Sequence, residues 1–206
     1  MAQALKELEK HDITHHDIKP ANILYDKKNK ATLIDFGLAT KGNEPLHYGG
    51  TPWYIGPEYL NLANEREPPE DVWALGIVML YMLRFIPLPE SGLQVASWSI
   101  RRAMRPATSE HARMRKWHGI IETVVRSRLD EGNYFHNIVR QMLNTTARRR
   151  IVPSQITEAL EAEKQRKQAE QQKVEALITA KEQEWEAYKA AKEQELEAWK
   201  AAKRKA

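Results

Sequence analysis

Residues 13–40, "ITHHDIKPANILYDKKNKATLIDFGLAT", constrain the fold more than any other part of the sequence. Two short, largely apolar runs, "NILY" and "ATLI", are separated by the turn-forming stretch "DKKNK", and this pattern predicts a β-hairpin. Polar residues able to carry chemistry stand on both sides of it: Asp17, Lys19 and Asn22 before the hairpin, and Asp35 after it. A hairpin would hold the two groups at fixed relative positions, which a mobile loop could not do.

The rest of the first 150 residues is predominantly helical in pattern. Residues 2–10 place their apolar side chains on one helical face. The run "DVWALGIVMLYMLRFI" (71–86) is apolar on all sides, which predicts a buried helix. Residues 94–150 indicate several further helices, whereas residues 36–58 are rich in Gly and Pro and predict a long irregular loop. The fold class is therefore expected to be mainly α, with one small hairpin.

The C-terminal part of the chain predicts one very long helix. Pro153 suits the first position of a helix, and no Gly or Pro follows it. Residues 180–190, "AKEQEWEAYKA", and 191–201, "AKEQELEAWKA", form an 11-residue repeat, a period that keeps an apolar stripe nearly straight along a helix. Three alternatives remain open for this stripe: a solvated single helix, coiled-coil self-association or docking onto another protein, and a membrane surface.

Composition divides the chain in two and narrows the classes of partner. Residues 154–206 carry eleven Lys and Arg against eleven Glu, so the formal net charge of +4 belongs to the part before them. This contrast predicts one domain over residues 1–160 and a charged helical tail over 161–206. A surplus this small does not indicate a nucleic-acid partner, and a neutral tail argues against a membrane partner. The chain has no Cys, no long apolar run and no secretory signal, so we expect a cytoplasmic or nuclear protein.

Four motifs occur in a fixed order: "HHDIKPAN", "DFG", "GTPWYIGPE" and "DVWALG". Together, with Asp17 and Asp35 18 positions apart, they resemble the C-terminal lobe of a eukaryotic-type serine/threonine protein kinase. The resemblance covers roughly residues 1–160. It implies an α+β fold by family, in which a helical lobe carries a small β-hairpin and an activation segment, here followed by a long C-terminal α-helix.

The resemblance implies a catalytic role for Asp17, which would accept or orient the proton of the substrate hydroxyl. Lys19 would neutralise charge on the transferred phosphate of ATP, because the transition state of phosphoryl transfer is highly anionic. Asn22 and Asp35 offer the hard oxygen ligands that Mg²⁺ prefers. The bland alternative, that Asp17 and Asn22 only cap turns, does not explain the joint pattern.

The family pattern also implies structural or regulatory roles for seven residues: His15, Phe36, Gly37, Thr51, Glu58, Asp71 and Arg150. Thr51 would hydrogen-bond Asp17 and Lys19, and its surroundings resemble serine/threonine rather than tyrosine kinases. Asp71 would accept backbone N–H groups of the catalytic loop, and Phe36 would pack beneath Asp35. Glu58 would pair with a buried arginine, for which Arg150 is expected; the alternative is that the arginines at 148–150 form a basic localisation patch.

Several features depart from the family pattern. His16 stands where the family carries an arginine that receives a phosphorylated activation segment, so Thr40 is only a weak candidate for such regulation. Gly56 replaces an alanine, which we interpret as a mild loosening. No G-x-G-x-x-G occurs in the sequence, and the ten or so residues before "ITHHD" are too few for the small nucleotide-binding lobe. We therefore expect a fragment, a mispredicted gene start or a degenerate relative.

The sequence thus predicts a serine/threonine protein kinase-like protein that transfers the γ-phosphate of ATP to protein hydroxyls with Mg²⁺. As written, the chain is expected to be inactive because the nucleotide-binding lobe is absent. The alternative is a non-catalytic scaffold that uses the lobe and the tail for protein binding. The partners expected are a protein substrate or docking partner and, through the C-terminal helix, a second copy of the chain.

Overall fold

The computed structural model describes residues 1–28, 30–42, 49–60, 70–91 and 99–205. The chain divides into two compact units, Met1–Ala159 and Leu160–Ala206. Helices dominate the described residues. In chain order, the helices and strands are α1 (Ala2–Lys10), β1 (Ile13–Thr14), β2 (Ile23–Tyr25), β3 (Ala31–Leu33), β4 (Thr40–Lys41), α2 (Glu70–Met82), α3 (Ile100–Ala103), α4 (Ser109–Arg128), α5 (Tyr134–Met142) and α6 (Pro153–Lys205). Helix α6 begins in the first unit and continues into the second. Single 3₁₀ turns occupy Pro20–Asn22, Pro52–Tyr54, Pro57–Leu60 and Ala147–Arg149.

The predicted hairpin is confirmed. Strands β2 and β3 are antiparallel, with Ile23 opposite Leu33 and Tyr25 opposite Ala31. The Asp26 carboxylate closes the turn by accepting the backbone N–H groups of Lys28 and Lys30, both at 2.8 Å. A polar side chain that satisfies turn N–H groups in this way explains why the short connection forms locally.

A second pair of strands was not predicted from the sequence. Strand β4 pairs antiparallel with β1, and Thr14 faces Thr40. These strands have two residues each, too few to show an alternating pattern, and the pairing depends on contacts distant in sequence. The stretch predicted to be irregular over 36–58 therefore contains a short strand near its start; residues 43–48 within it lie outside the described part of the chain.

Helix α2 is the centre of the core, as its apolar sequence predicts. The side chains of Val72, Trp73, Ile77 and Leu80 are fully buried, and burying each contributes about 1.5–3 kcal/mol. The helix ends at Met82 rather than at residue 86.

Two details explain how α2 ends and packs. Arg84 adopts a positive φ of 59°, a left-handed conformation that stops the helix after Met82 and turns the chain away. At Gly76, a Cβ atom would lie 2.7 Å from Leu143, immediately after α5. The missing side chain therefore lets α5 approach α2 closely.

Helices α4 and α5 carry the side-chain caps that the sequence allows. The Thr108 hydroxyl accepts the backbone N–H of His111 at 3.1 Å. The side-chain amide oxygen of Asn133 accepts the backbone N–H of His136 at 3.1 Å. Each cap satisfies a backbone donor that the first turn leaves without an intrahelical partner. Residues 94–98, part of the region predicted to hold several helices, lie outside the described residues.

A buried ion pair joins two parts of the first unit that are distant in sequence. Arg150 forms a two-pronged contact with Glu58, with both nitrogen–oxygen distances at 2.7 Å. The Arg150 side chain is fully buried; its Nε donates to the Asn144 carbonyl, and its guanidinium lies 5.1 Å from the Trp73 ring. Planar, bidentate recognition of a carboxylate is the geometry that suits arginine rather than lysine.

Gly56 has a structural reason that the sequence did not show. A Cβ atom at this position would collide with the Glu58 carboxylate, which Arg150 holds in place. The absence of a side chain at Gly56 leaves this space to the carboxylate, and an alanine would require the Glu58 side chain to shift.

The second unit consists of the rest of α6, and the prediction of one very long helix beginning at Pro153 is confirmed. Its described side chains are almost all exposed, and Lys–Glu pairs three residues apart line it at 2.7–2.8 Å. Such exposed pairs contribute only a few tenths of a kcal/mol each. In the described part of the chain, no helix combines the length and the apolar character that crossing a bilayer requires.

We predict that Arg150→Ala destabilises the first unit by about 3–5 kcal/mol, because it leaves the Glu58 carboxylate buried without its counter-charge. Thermal or urea unfolding of the full chain, followed by tryptophan fluorescence, measures the loss. Arg149→Ala is the matched control, since Arg149 is an exposed neighbour. Equal unfolding free energies for the two variants would show that the pair does not stabilise the fold.

Candidate active site

The loop between β1 and the 3₁₀ turn at Pro20–Asn22 is anchored by one carboxylate. Asp71, in the first turn of α2, accepts the backbone N–H of His15 at 2.7 Å and that of His16 at 3.0 Å. His16 has a positive φ of 66°, which is unfavourable for a residue with a side chain. The two hydrogen bonds therefore hold a turn that would otherwise relax, and Asp17 follows directly after it.

Burial makes the charge on Asp71 costly. It raises the pKa of the Asp71 carboxyl to about 7; the nearby Glu70 carboxylate adds to this rise, whereas the N–H groups of His15 and His16 oppose it. The hydrogen bonds to consecutive backbone N–H groups thus offset part of the desolvation of the ionised form.

His15 supports the same loop from beneath. Its Nε2 lies 3.0 Å from the carbonyl oxygen of Ile34, to which it donates, and its Nδ1 accepts the backbone N–H of Asp17 at 3.3 Å. Burial lowers the pKa of His15, and the neutral ring with its proton on Nε2 satisfies both contacts. The ring also meets Phe36 edge-on, with centroids 4.8 Å apart.

Asp17 is the centre of a closed hydrogen-bond cluster. Its carboxylate receives the Lys19 ammonium at 2.7 Å and the Thr51 hydroxyl at 2.7 Å, while the Lys19 ammonium also donates to the Thr51 oxygen at 2.9 Å. The Asn22 amide donates to the carbonyl oxygen of Asp17 at 2.8 Å and to its carboxylate at 3.1 Å. These four side chains come from positions spread over more than thirty residues, and the fold gathers them at one point.

The cluster keeps Asp17 ionised. Burial alone raises the pKa of Asp17, but the hydrogen bonds from Lys19 and Thr51 outweigh it, and the positive charge of Lys19 and the Asn22 amide add to them. The net effect holds the pKa below its ordinary value. A carboxylate that stays ionised and points into a polar cluster can accept a proton from a bound hydroxyl group.

The loop of residues 15–19 and the segment that carries Thr51 approach each other closely, and this approach depends on Gly50. Its φ is 106°, and a Cβ atom there would lie 2.7 Å from the carbonyl oxygen of His16. Only glycine allows this contact, which brings the next residue, Thr51, to Asp17.

Asn22 and Asp35 have the donor atoms that suit Mg²⁺. The Asn22 amide nitrogen is turned towards Asp17, so its carbonyl oxygen is the atom that can serve as a ligand. Asp35 is exposed, in a left-handed conformation with a φ of 64°, directly after the hairpin. In the described part of the chain, no three Asp, Glu, His or Cys side chains form a metal-binding group. Two oxygen ligands, with phosphate and water completing the shell, fit the way in which Mg²⁺ is usually held.

The neighbours of Asp35 are placed less firmly. The N–H of Gly37 lies 3.4 Å from an oxygen of Asp35, a long hydrogen bond. Phe36 is about half exposed, and its ring packs edge-on against the ring of His15. The expected packing of Phe36 beneath Asp35 therefore remains a prediction.

The structure adds two residues that the sequence did not reveal as partners. The Nδ1 of His16 lies 3.2 Å from the Glu70 carboxylate, and its Nε2 lies 2.6 Å from the Thr40 hydroxyl. All three side chains are buried. Thr40, considered above as a weak candidate for phosphorylation, thus has a buried hydroxyl that connects β4 to the loop of residues 15–19 through His16. No local pattern could have shown this contact, because the three residues lie up to 54 positions apart.

A further unpredicted contact lies beyond Thr51. The Tyr54 hydroxyl donates to the Glu90 carboxylate at 2.7 Å. Burial, followed by this hydrogen bond, raises the pKa of the Tyr54 phenol. The 3₁₀ turn after Thr51 is therefore held to the segment that follows α2.

The predicted site residues fall into three groups, of which one, Asp35 to Gly37, follows the hairpin as described above. Asp17, Lys19, Asn22 and Thr51 meet in one cluster, and Asp71 and His15 hold the backbone beneath it. Glu58 and Arg150 form a separate, buried pair that belongs to the framework rather than to the cluster.

We predict that Thr51→Val raises the pKa of Asp17, because it removes a hydroxyl donor to the ionised carboxylate. In the native chain, a lowered Asp17 pKa contributes stability above the ordinary pKa of an aspartate, and this contribution is lost as the pH falls. In the variant this contribution should be smaller, and its loss should be complete at a higher pH. A carbon-13 NMR titration of the carboxyl groups measures the shift. Thr51→Ser, which keeps the hydroxyl, is the control; equal Asp17 titration curves in all three proteins would contradict the prediction.

Comparison with known proteins agrees with this geometry. The protein kinase domain family matches residues 1–162. Serine/threonine-protein kinase Nek2 of Homo sapiens is 36% identical over 93 residues, which cover 41% of this chain and 21% of the relative.

Two further relatives extend the comparison. Calcium-dependent protein kinase 13 of Arabidopsis thaliana is 31% identical over 157 residues, covering 72% of this chain and 26% of the relative. Developmentally-regulated protein kinase 1 of Dictyostelium discoideum is 40% identical over 79 residues, covering 37% and 11%. The chain thus spans about a quarter or less of the length of these relatives. Since the family matches most of the chain and includes the whole cluster around Asp17, the chain belongs to the protein kinase family.

Proposed function

We propose that this chain carries the phosphate-transfer half of a serine/threonine protein kinase, which moves the γ-phosphate of ATP to a protein hydroxyl. The observation that carries the proposal is the closed cluster in which the Asp17 carboxylate lies 2.7 Å from both the Lys19 ammonium and the Thr51 hydroxyl. In-line phosphoryl transfer requires a base that orients the attacking hydroxyl and positive charge that stabilises the transferred phosphate, and this cluster contains both kinds of group.

Each residue of the cluster has a separate task in this proposal. Asp17 accepts the hydroxyl proton of the protein substrate, so that the oxygen can attack the phosphorus atom. Lys19, with a partly exposed side chain, offers its ammonium to the transferred phosphate. Thr51 keeps the carboxylate and the ammonium in one orientation, since its hydroxyl contacts both.

Asn22 and Asp35 are proposed to hold Mg²⁺. When bound, the ion supplies positive charge that neutralises the phosphate oxygens. The hairpin β2–β3 connects the two ligands and fixes the distance between them. The donation from the Asn22 amide to Asp17 links this metal ligand to the base.

A competing proposal is a non-catalytic scaffold. It is favoured by three large apolar side chains around the hairpin that are exposed: Leu24, Tyr25 and Phe36. Exposed apolar side chains of this kind are suited to contact with another polypeptide. The two proposals differ in what Asp17 is needed for.

When it is fused to the nucleotide-binding lobe of a serine/threonine protein kinase, the chain should phosphorylate serine and threonine peptides in the presence of Mg²⁺ and ATP. Asp17→Ala should lower the rate by about 10²–10⁴-fold, because the positioned base is lost. Glu158→Ala is the matched control: Glu158 is an exposed carboxylate that lies outside both the hairpin and the cluster. Incorporation of radiolabelled phosphate that survives Asp17→Ala would contradict the catalytic proposal and favour the scaffold.

The 206 residues on their own should bind ATP weakly and transfer no measurable phosphate. They contain no G-x-G-x-x-G, and a binding pocket normally encloses most of its ligand. Calorimetry with Mg·ATP and the same radiolabelled assay test this expectation. Tight binding with rapid transfer by the isolated chain would contradict it.

A further inference from the structure

The second unit is a single helix, and one side of it exposes a stripe of apolar side chains. Seven large apolar side chains between positions 174 and 199 are 47–61% exposed: Val174, Leu177, Ile178, Trp185, Tyr188, Leu196 and Trp199. Most recur at intervals of three or four residues and so lie on one side of the helix. A single helix leaves this stripe in water, which favours a partner.

Lysines interrupt the stripe at a regular interval. Lys181, Lys192 and Lys203 follow one another at the 11-residue period of the repeat, and each lies on the same side of the helix as the apolar residues. Two of them cover aromatic rings of their own helix: Lys192 lies 6.0 Å from the Tyr188 ring and Lys203 lies 4.5 Å from the Trp199 ring. The stripe is therefore an alternation of apolar side chains and positive charges.

This alternation decides how two copies of the stripe can meet. In a parallel pair in register, each lysine of one copy would face the same lysine of the other, so like charges would be opposed along the whole contact. A charged residue within a helical seam selects the register and orientation that avoid such a clash.

We propose that two copies of this chain pair through α6 in antiparallel orientation, with the two-fold axis between Tyr188 and Lys189. Residues at equal distances from that axis then face each other, which gives five kinds of contact: Tyr188 with Lys189, Trp185 with Lys192, Lys181 with Leu196, Ile178 with Trp199, and Val174 with Lys203. Lys181, Lys192 and Lys203, the lysines that interrupt the stripe, each meet an apolar or aromatic side chain of the second copy, and none of these three faces another of them.

The chemistry of the facing residues suits this arrangement. A lysine can lay its methylene groups along an aromatic or aliphatic neighbour and keep its ammonium in water, and an ammonium near a tryptophan ring gains a cation–π contact. Glutamates flank the stripe; Glu182 and Glu186 are the neighbours of Trp185 on one side of the helix. Lys192 of the second copy would thus approach a ring that already has the Lys189 ammonium of its own helix 5.5 Å away, with Glu182 and Glu186 beside it to offset the positive charges. The pairing is independent of the proposed catalysis.

The orientation can be measured because the chain has no cysteine, so single spin labels can be introduced without background. We choose Ala190→Cys and Gln172→Cys, which are exposed and lie on the side of the helix away from the stripe. In the proposed pair, the two labels at position 190 are offset by about 5 Å along the helix axis, whereas those at position 172 are offset by about 50 Å. Pulsed electron spin resonance on the full chain should therefore give a much longer distance for the Gln172→Cys label.

Three results would overturn the proposal. Equal distances from the two labels would show a parallel pair, and a long distance at position 190 would show a different register. A strictly monomeric chain in sedimentation equilibrium at increasing concentration would show that the stripe does not pair with itself.

A pair of substitutions tests the stripe as the contact surface. Trp185→Ala should weaken dimerisation at least about tenfold, because a buried aromatic at a helix contact is typically a major contributor to binding. Gln183→Ala, on the opposite side of the helix, should leave it unchanged. Equal dissociation constants for the two variants would contradict the proposed surface.

Discussion

The hydrogen bonds from His15 and His16 to the Asp71 carboxylate are the interaction on which the site depends. They join the loop of residues 15–19, which carries Asp17, to the first turn of α2, a deeply buried helix of the first unit. Because α2 is apolar on all sides, packing fixes its position. The Asp71 carboxylate at its start, which accepts the N–H groups of His15 and His16, therefore fixes the position of the loop as well. The left-handed turn at His16 then presents Asp17 to the loop that carries Thr51.

The cluster around Asp17 and the loop at Gly50 stabilise each other. The glycine lets the two backbones approach, and Thr51 then closes the contact between Asp17 and Lys19. On the opposite side of the same turn, His16 ties the loop to β4 through Thr40. The loop that would present the catalytic base is thus held from three directions, by α2, by β4 and by the Thr51 segment.

The sequence predicted those parts of the structure that have a local cause. The hairpin, the helix at residues 2–10 and the long helix from Pro153 follow from turn residues, periodicity and the absence of Gly and Pro. The residues of the Asp17 cluster could be named because they stand in motifs with fixed spacing. The motifs, rather than any local physical signal, also suggested Arg150 as the partner of Glu58.

What could not be predicted depends on contacts distant in sequence. Strand β4 exists only because β1 lies beside it, and the contact of His16 with Glu70 appears only when α2 reaches the loop. The space that Gly56 leaves to the Glu58 carboxylate likewise appears only in the folded chain. The end of α2 was predicted four residues too late because the apolar run continues past the left-handed turn at Arg84.

Amide hydrogen exchange at His15 and His16 measures whether Asp71 holds the loop of residues 15–19. We expect both amides to be protected in the native chain. Asp71→Asn should lower this protection by about 10²-fold or more, while amides in the middle of α2, such as that of Ile77, stay protected. Rapid exchange of both amides in the native chain, or protection that survives Asp71→Asn unchanged, would contradict this role of Asp71.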